Sequence, residues 1–408
     1  MKRLLFPLLL LATGSLSFAQ EQIRVFKNGN STRFTAPEVV FANNGTAFTV
    51  GDSTYVSAEI DSITVVHTVS VTFNGNTASV DLGHARGVTY TTNGAHVNIV
   101  STNAKSELEF VLQGESTQGS LTYTGPLKCK FYLNGLNLKS NSGAALDIQC
   151  GKRVDLILNE GTTNVLEDAA GGTQKAALYC RGHLEVSGSG SLTVRGNTKH
   201  AISTKEYMEM KKSTGSITVT KAVSDGLHIG QYFKMNGGTL TVSGQGGEGV
   251  QVEFETLSDD VTPDPEKEDN GLMFINGGTI NITASSPATK AIKAPSNLTV
   301  TGGTVLIAAS GPGTKGISVS GNMLVNQESD VTLIQVRANG GLWEDENEDD
   351  VWCTGIKIKG NLTVQAGTIR VSNNASGTRG IRLGGVLTQG PEAVVSASIS
   401  YSGDDNDD

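Results

Sequence analysis

Aromatic residues make up only 5% of this 408-residue chain, and just two of them, Trp343 and Trp352, are tryptophans. A broad platform of flat rings is therefore excluded. A basic excess is missing as well: the formal net charge is −9, which argues against nucleic acid, whose phosphates call for a basic face. After the first twenty residues no apolar run is long enough to cross a bilayer. No apolar pattern of helical period and length follows them either. The chain has four cysteines but no Cys-x-x-Cys, and its six histidines have neither zinc-ligand nor nucleophile-relay spacing. Gly-x-Ser-x-Gly and phosphate-loop motifs are absent too.

What is present is glycine, 50 residues against nine prolines, and with it the composition of many short strands and turns. The stretch NLTVTGGTVLIAASGPGTKGI at 297–317 returns without a gap as NLTVQAGTIRVSNNASGTRGI at 361–381. A small residue followed by an aliphatic one recurs at Leu178, Ile202, Leu227, Val250, Ile292, Ile317, Ile356 and Ile381. Most steps are 23 to 25 residues; two are outsized and contain acid-rich insertions at 253–270 and 340–352. A fixed period of this size marks a solenoid. Within one unit, three runs of period-two alternation are separated by glycine turns. The expected fold is therefore all-β: a right-handed parallel β-helix over 67–400, with residues 20–66 as a hairpin arm or cap. A leucine-rich repeat would fit the length but lacks its leucine and asparagine spacing.

Residues 1–19 have the charged start, apolar middle and small-residue cleavage site of an export signal. The expected location is secreted, periplasmic or cell-surface. Residues 401–408 read as an acidic disordered tail. Cys129, Cys150 and Cys180 each lie four residues before an inward aliphatic, so the spacing stacks them at one corner, as a disulfide pair or as an unbonded ladder; Cys353 is out of that register.

The block LNGLNLKSNSGAALDIQCGKRVDLILNEGTTNVLED at 133–168 resembles the secreted β-helix family of carbohydrate-binding domain-containing proteins. The likeness continues through SDGLHI, the Gly-Gly turns at 237–238, 277–278 and 302–303, and NLTVTGG, over roughly 95–385. The resemblance implies calcium-assisted binding of a plant-type polysaccharide, pectic or cellulosic, without cleavage. The family pattern stacks Asp carboxylates at a coil corner. Here that corner offers Asp225 and Glu248, with Glu253 and Asp269 as further oxygen donors for one or two Ca²⁺. Other coils carry lysines, a histidine and an arginine at the same corner. Lys290, Lys315 and Arg379 form a cationic column able to pair with uronate carboxylates, and Trp343 and Trp352 offer faces for sugar rings. Two alternatives stay open: a pectate-lyase-like enzyme, since acids and a basic residue are the right types, and a surface adhesin using the solenoid as a spacer.

Overall fold

The computed structural model describes residues 22–401, apart from 36–38, 43–44, 259–260, 329–330 and 348. The expected export signal and residues 402–408 of the tail lie outside the described residues. The chain forms a parallel β-solenoid of about 12 turns with a small N-terminal hairpin sheet. No α-helix occurs among the described residues.

Each full coil contributes three strands. In one, the first wall is Val154–Leu158, the second Thr163–Glu167 and the third Ala176–Cys180. The next coil repeats them as Leu184–Ser187, Ser191–Gly196 and His200–Thr204, in parallel register. Alternate residues along a strand point inward, and these are the aliphatic ones, buried without a break from Val69 to Leu383. The recurrent small-aliphatic pairs fall in one vertical column. Leu178 pairs with Ile202, then Leu227, Val250, Ile292, Ile317, Ile356 and Ile381 follow in turn. Both outsized steps are bridged, so the insertions are loops thrown out of an unbroken stack.

The insertions leave at different corners. Residues 253–270 lie between the third-wall strand Val250–Val252 and the first-wall strand Met273–Ile275. Residues 340–352 lie between the second and third walls, where Leu342–Glu344 folds back antiparallel on the start of Asp350–Ile358. The Gly-Gly turns are a packing requirement. Gly278 and Gly303 have φ of +84° and +83°, and a Cβ on either would sit 2.5 Å from the carbonyl oxygen of Gly238 or Gly278 in the coil before. Only glycine accepts both the backbone conformation and the close approach.

The cysteine column is not what the spacing suggested. Cys129 opens a first-wall strand and pairs with Val154, whereas Cys180 closes a third-wall strand and pairs with Ile148. Counting back to the next inward aliphatic misaligned them, because Cys150 lies in the corner and Cys129 already occupies a wall. All four cysteines are buried and free. The Cys129 and Cys150 thiols hydrogen-bond to each other, which brings Cys150 down to about 7, while burial pushes Cys129 up.

The N-terminal arm is tied to the stack by one continuous strand, Ser62–Asn74. Its first half pairs with Gln22–Phe26 and its second half with the coil strand Leu108–Ser116. At the joint, Glu109 is buried and bonds to Arg24 at 2.6 Å and to Arg33, with Lys130 at 3.6 Å. Burial alone would raise the Glu109 pKa, yet the bond and charge of Arg33 outweigh it and lower it. A lowered carboxyl adds stability in full above its unfolded value and loses it as pH falls through the folded one. Glu109→Gln is thus expected to cost about 2–3 kcal/mol at neutral pH. The deficit should shrink below about pH 4, as read by thermal melts at both pH values.

Candidate functional site

Two groups of side chains stand out on the third wall. The first lies beneath the hairpin of the second insertion, in a cavity of about 310 Å³. Its cations are Lys315, Lys357 and Arg382; its acids are Asp345, Asp349 and Asp350; Trp352 forms part of the wall. The strand register delivers them, since Lys315 opposes Thr354, and Lys357 opposes both Ser318 and Arg382 in the neighbouring coils. The hairpin is held by pairing of Leu342 with Trp352 and Trp343 with Val351. Its tip is an Asx turn in which Asp345 Oδ1 accepts the Asn347 and Asp349 amides at 2.8 and 3.0 Å. Arg379 lies 4.3 Å over the Trp352 ring, covering one face of it. Trp343 is 37% exposed and is the more open of the two rings.

Of the five residues expected to contact sugar, Lys315 and Trp352 line this cavity and Arg379 stacks on its wall. Trp343 stands on the same hairpin. Lys290 pairs with Lys315 in register but turns to Glu248 at 3.5 Å. Lys357 and Arg382 were missed, although each directly follows an aliphatic of the repeat column.

The second group surrounds Asp225, which is 3% exposed. Its Oδ2 lies 2.8 Å from His228 Nδ1 and 3.2 Å from His200 Nδ1, and the two imidazoles stack at 4.1 Å. Its Oδ1 accepts the Glu248 amide at 3.0 Å and the Ser224 hydroxyl at 3.2 Å. His228 Nε2 reaches Glu253 at 3.2 Å. Burial opposes ionisation of Asp225, yet its bonds to both histidines prevail and hold the carboxyl far below the usual range. Burial also opposes protonation of His228, but its bonds to Asp225 and Glu253 raise its pKa; burial pushes His200 down.

Of the four expected calcium ligands, Asp225 and Glu253 meet only through the His228 ring. Glu248 gives its backbone amide to Asp225 and turns its carboxylate to Lys290 and Lys293. Asp269 stands beyond the other end of the Leu227–Ile229 strand, where the Leu272 amide closes on its carbonyl and the Gly271 amide on that of Gln231. Calcium takes six to eight oxygens, and these four residues do not make an oxygen cage. His200 and His228 complete the cluster instead. The period could have found His200, since Ala201 stacks beneath Gly226 and so places His200 beside Asp225.

The protein is thus a parallel solenoid whose outer wall carries cations, acids and a tryptophan in one cleft. A model of the carbohydrate-binding domain-containing protein family matches residues 93–384, and the chain belongs to that family. A carbohydrate-binding domain-containing protein of Acetivibrio thermocellus is 30% identical over 95 residues, 21% of this chain and 32% of the relative. The chain thus matches about a third of that relative's length. Among solved structures, a polysaccharide lyase-like protein from C. thermocellum, studied as a gadolinium derivative, aligns with a TM-score of 0.51 at 22% identity. That alignment covers 64% of this chain and 98% of the other, and what it shows is the shared fold. No helix among the described residues is long and apolar enough to cross a membrane.

Proposed function

We propose that the protein is an exported, non-catalytic polysaccharide-binding protein that holds an acidic, plant-type glycan, pectic in preference to cellulosic, under the Trp343–Trp352 hairpin. It works outside the cytoplasm, at the cell surface or in the periplasm. The observation that carries this reading is the convergence of Lys315, Lys357 and Arg382 on one cleft beside Trp352. Cations so placed pair with uronate carboxylates. The hairpin acids are suited to accept hydrogen bonds from sugar hydroxyls, and the open ring of Trp343 suits packing against sugar C–H bonds. The four acids expected to bind calcium lack its oxygen cage, so recognition rests on this cleft and chelation leaves it intact.

The test is calorimetric titration of the full chain with polygalacturonate and with soluble cello-oligosaccharides, with and without EDTA. Lys357→Ala is expected to weaken polygalacturonate binding about tenfold, the worth of one charge-assisted hydrogen bond, and to leave the cellulosic titration unchanged. Equal affinity in the variant would overturn the cleft assignment. Rising ultraviolet absorbance during incubation with polygalacturonate would report an unsaturated elimination product and replace binding with a lyase activity.

A further inference from the structure

The geometry points to a separate metal site, independent of the glycan reading: His200, Asp225 and His228 form a nitrogen-rich site for one borderline first-row divalent cation of the Zn²⁺ class. Each of the three residues offers one donor atom, and these lie within 4.8 Å of one another; Asp225 Oδ2 faces both Nδ1 atoms. Two of the separations are 2.8 and 3.2 Å. Ligands each about 2.1 Å from a common ion stand about 3.0–3.4 Å apart in octahedral or tetrahedral arrangement, so these edges already approach a coordination polyhedron. The register holds them there: Ile202 pairs with Leu227, which stacks the His200 coil directly against the coil of Asp225 and His228.

The surrounding hydrogen bonds turn Asp225 Oδ2 and His228 Nδ1 toward one point. The Glu248 amide and Ser224 hydroxyl occupy Asp225 Oδ1, so Oδ2 is the oxygen presented to the imidazoles. Glu253 takes the Nε2 side of His228 and so directs Nδ1 inward, as an outer carboxylate does for a metal-bound imidazole. His200 is frustrated without a cation. Its Nδ1 lies 3.3 Å from the Asp225 amide, for which it is the acceptor, so its lone pair also faces Oδ2 at 3.2 Å. Protonating Nδ1 relieves that contact but removes the amide's acceptor. The other nitrogen, Nε2, is buried with no hydrogen-bond partner, so nothing at that end selects the tautomer. A cation between Nδ1 and Oδ2 would take the Nδ1 lone pair from the Asp225 amide as a proton does, but it replaces the two facing lone pairs with two coordinate bonds. Two imidazoles and one carboxylate suit zinc, nickel, cobalt or copper and not calcium. Such an ion would staple two successive coils, with Glu253 linking a third.

The experiment uses the full chain stripped with chelator and dialysed, then titrated with ZnCl₂ and, separately, with CaCl₂. One equivalent of zinc is expected to bind at least about a hundredfold more tightly than calcium. Cobalt substituted for zinc should give visible d–d bands without the near-ultraviolet band of a cobalt–thiolate. His228→Gln should abolish binding. Glu253→Gln, at a half-exposed side chain that leaves the coil intact, should weaken zinc about tenfold with an unchanged circular-dichroism spectrum. Equal affinity for calcium, a thiolate band, or wild-type zinc binding in both variants would each overturn the assignment.

Discussion

Gly340→Ala is expected to lower stability by about 3 kcal/mol or more and to weaken polygalacturonate binding over tenfold. Gly340 sits where the second wall, ending in the strand Thr332–Ala338, turns out into the hairpin insertion. A Cβ there would overlap the carbonyl oxygen and carbon of Gly311 in the preceding coil and approach the nitrogen of Pro312 at 3.1 Å. All three are backbone atoms, so no rotamer change relieves the overlap, and the corner must lift. Lifting strains the hydrogen bonds that seat the hairpin: the Gly313 and Cys353 amides on the Gly341 carbonyl at 3.0 and 3.1 Å, and the Gly340 amide on the Cys353 sulfur at 3.3 Å. Because this hairpin carries Trp343, Trp352 and the acids of the cleft, stability and recognition should fall together. The neighbouring position is the control. Gly341 has φ of +75°, but its nearest clash partner, the Ser376 carbonyl, is 3.6 Å away. Gly341→Ala should therefore cost only about 1 kcal/mol of backbone strain. Melting and titration of the two variants side by side check this. If Gly340→Ala melts with the wild type, the hairpin is not seated on the coil as described.

The solenoid was legible because its physics is periodic. Stacked coils demand the same inward face at the same interval, so Ile292 and Ile317 advertise their pairing in one dimension. Outward positions carry no such demand. Lys293, Ser318, Lys357 and Arg382 form a vertical series, yet nothing in packing requires them to be alike, and only the already known register aligns them. The corner of Asp225 was half read. Its carboxylate was assigned to a cation, while the histidine noted at the same corner of another coil was given no role; register shows that histidine, His200, to be the partner of Asp225. The cysteines failed for a related reason: corners vary in length, so counting through a corner loses register that counting along a wall preserves. The two tryptophans marked the right insertion, but sequence gave no sign that Arg379 would cover one face of Trp352.

The block at 133–168 that carries the family likeness leads to the other large effect, because two of its polar residues, Asn164 and Asp168, tie successive coils together. Asn164 is fully buried. Its Oδ1 accepts the amides of Gly135 and Leu136 at 3.0 and 2.9 Å, and its Nδ2 donates to Thr162 Oγ1 and the Ser191 carbonyl at 3.1 and 3.0 Å. One amide side chain thus closes the corner of its own coil and links it to the coils on both sides, with every hydrogen-bonding capacity used. Asp168 repeats the device at the next corner by accepting the Asn197 and Thr198 amides. Asn164→Ala strands the buried Leu136 amide, the part-buried Gly135 amide and a carbonyl, each costing about 1–3 kcal/mol when fully buried, and is expected to destabilise by about 2–4 kcal/mol. In a stack bound by nearest neighbours the damage should begin locally. Hydrogen exchange at the Gly135 and Leu136 amides is therefore the sharpest readout, with acceleration of about a hundredfold or more there and little change at coils beyond Ile292. Asn164→Asp keeps the acceptor for both amides and loses only the donor side, so it should protect those two amides better than alanine does. Unchanged exchange at Gly135 and Leu136 in the alanine variant would show that their hydrogen bonds do not depend on Asn164, and the motif would have to be explained by contact with ligand after all.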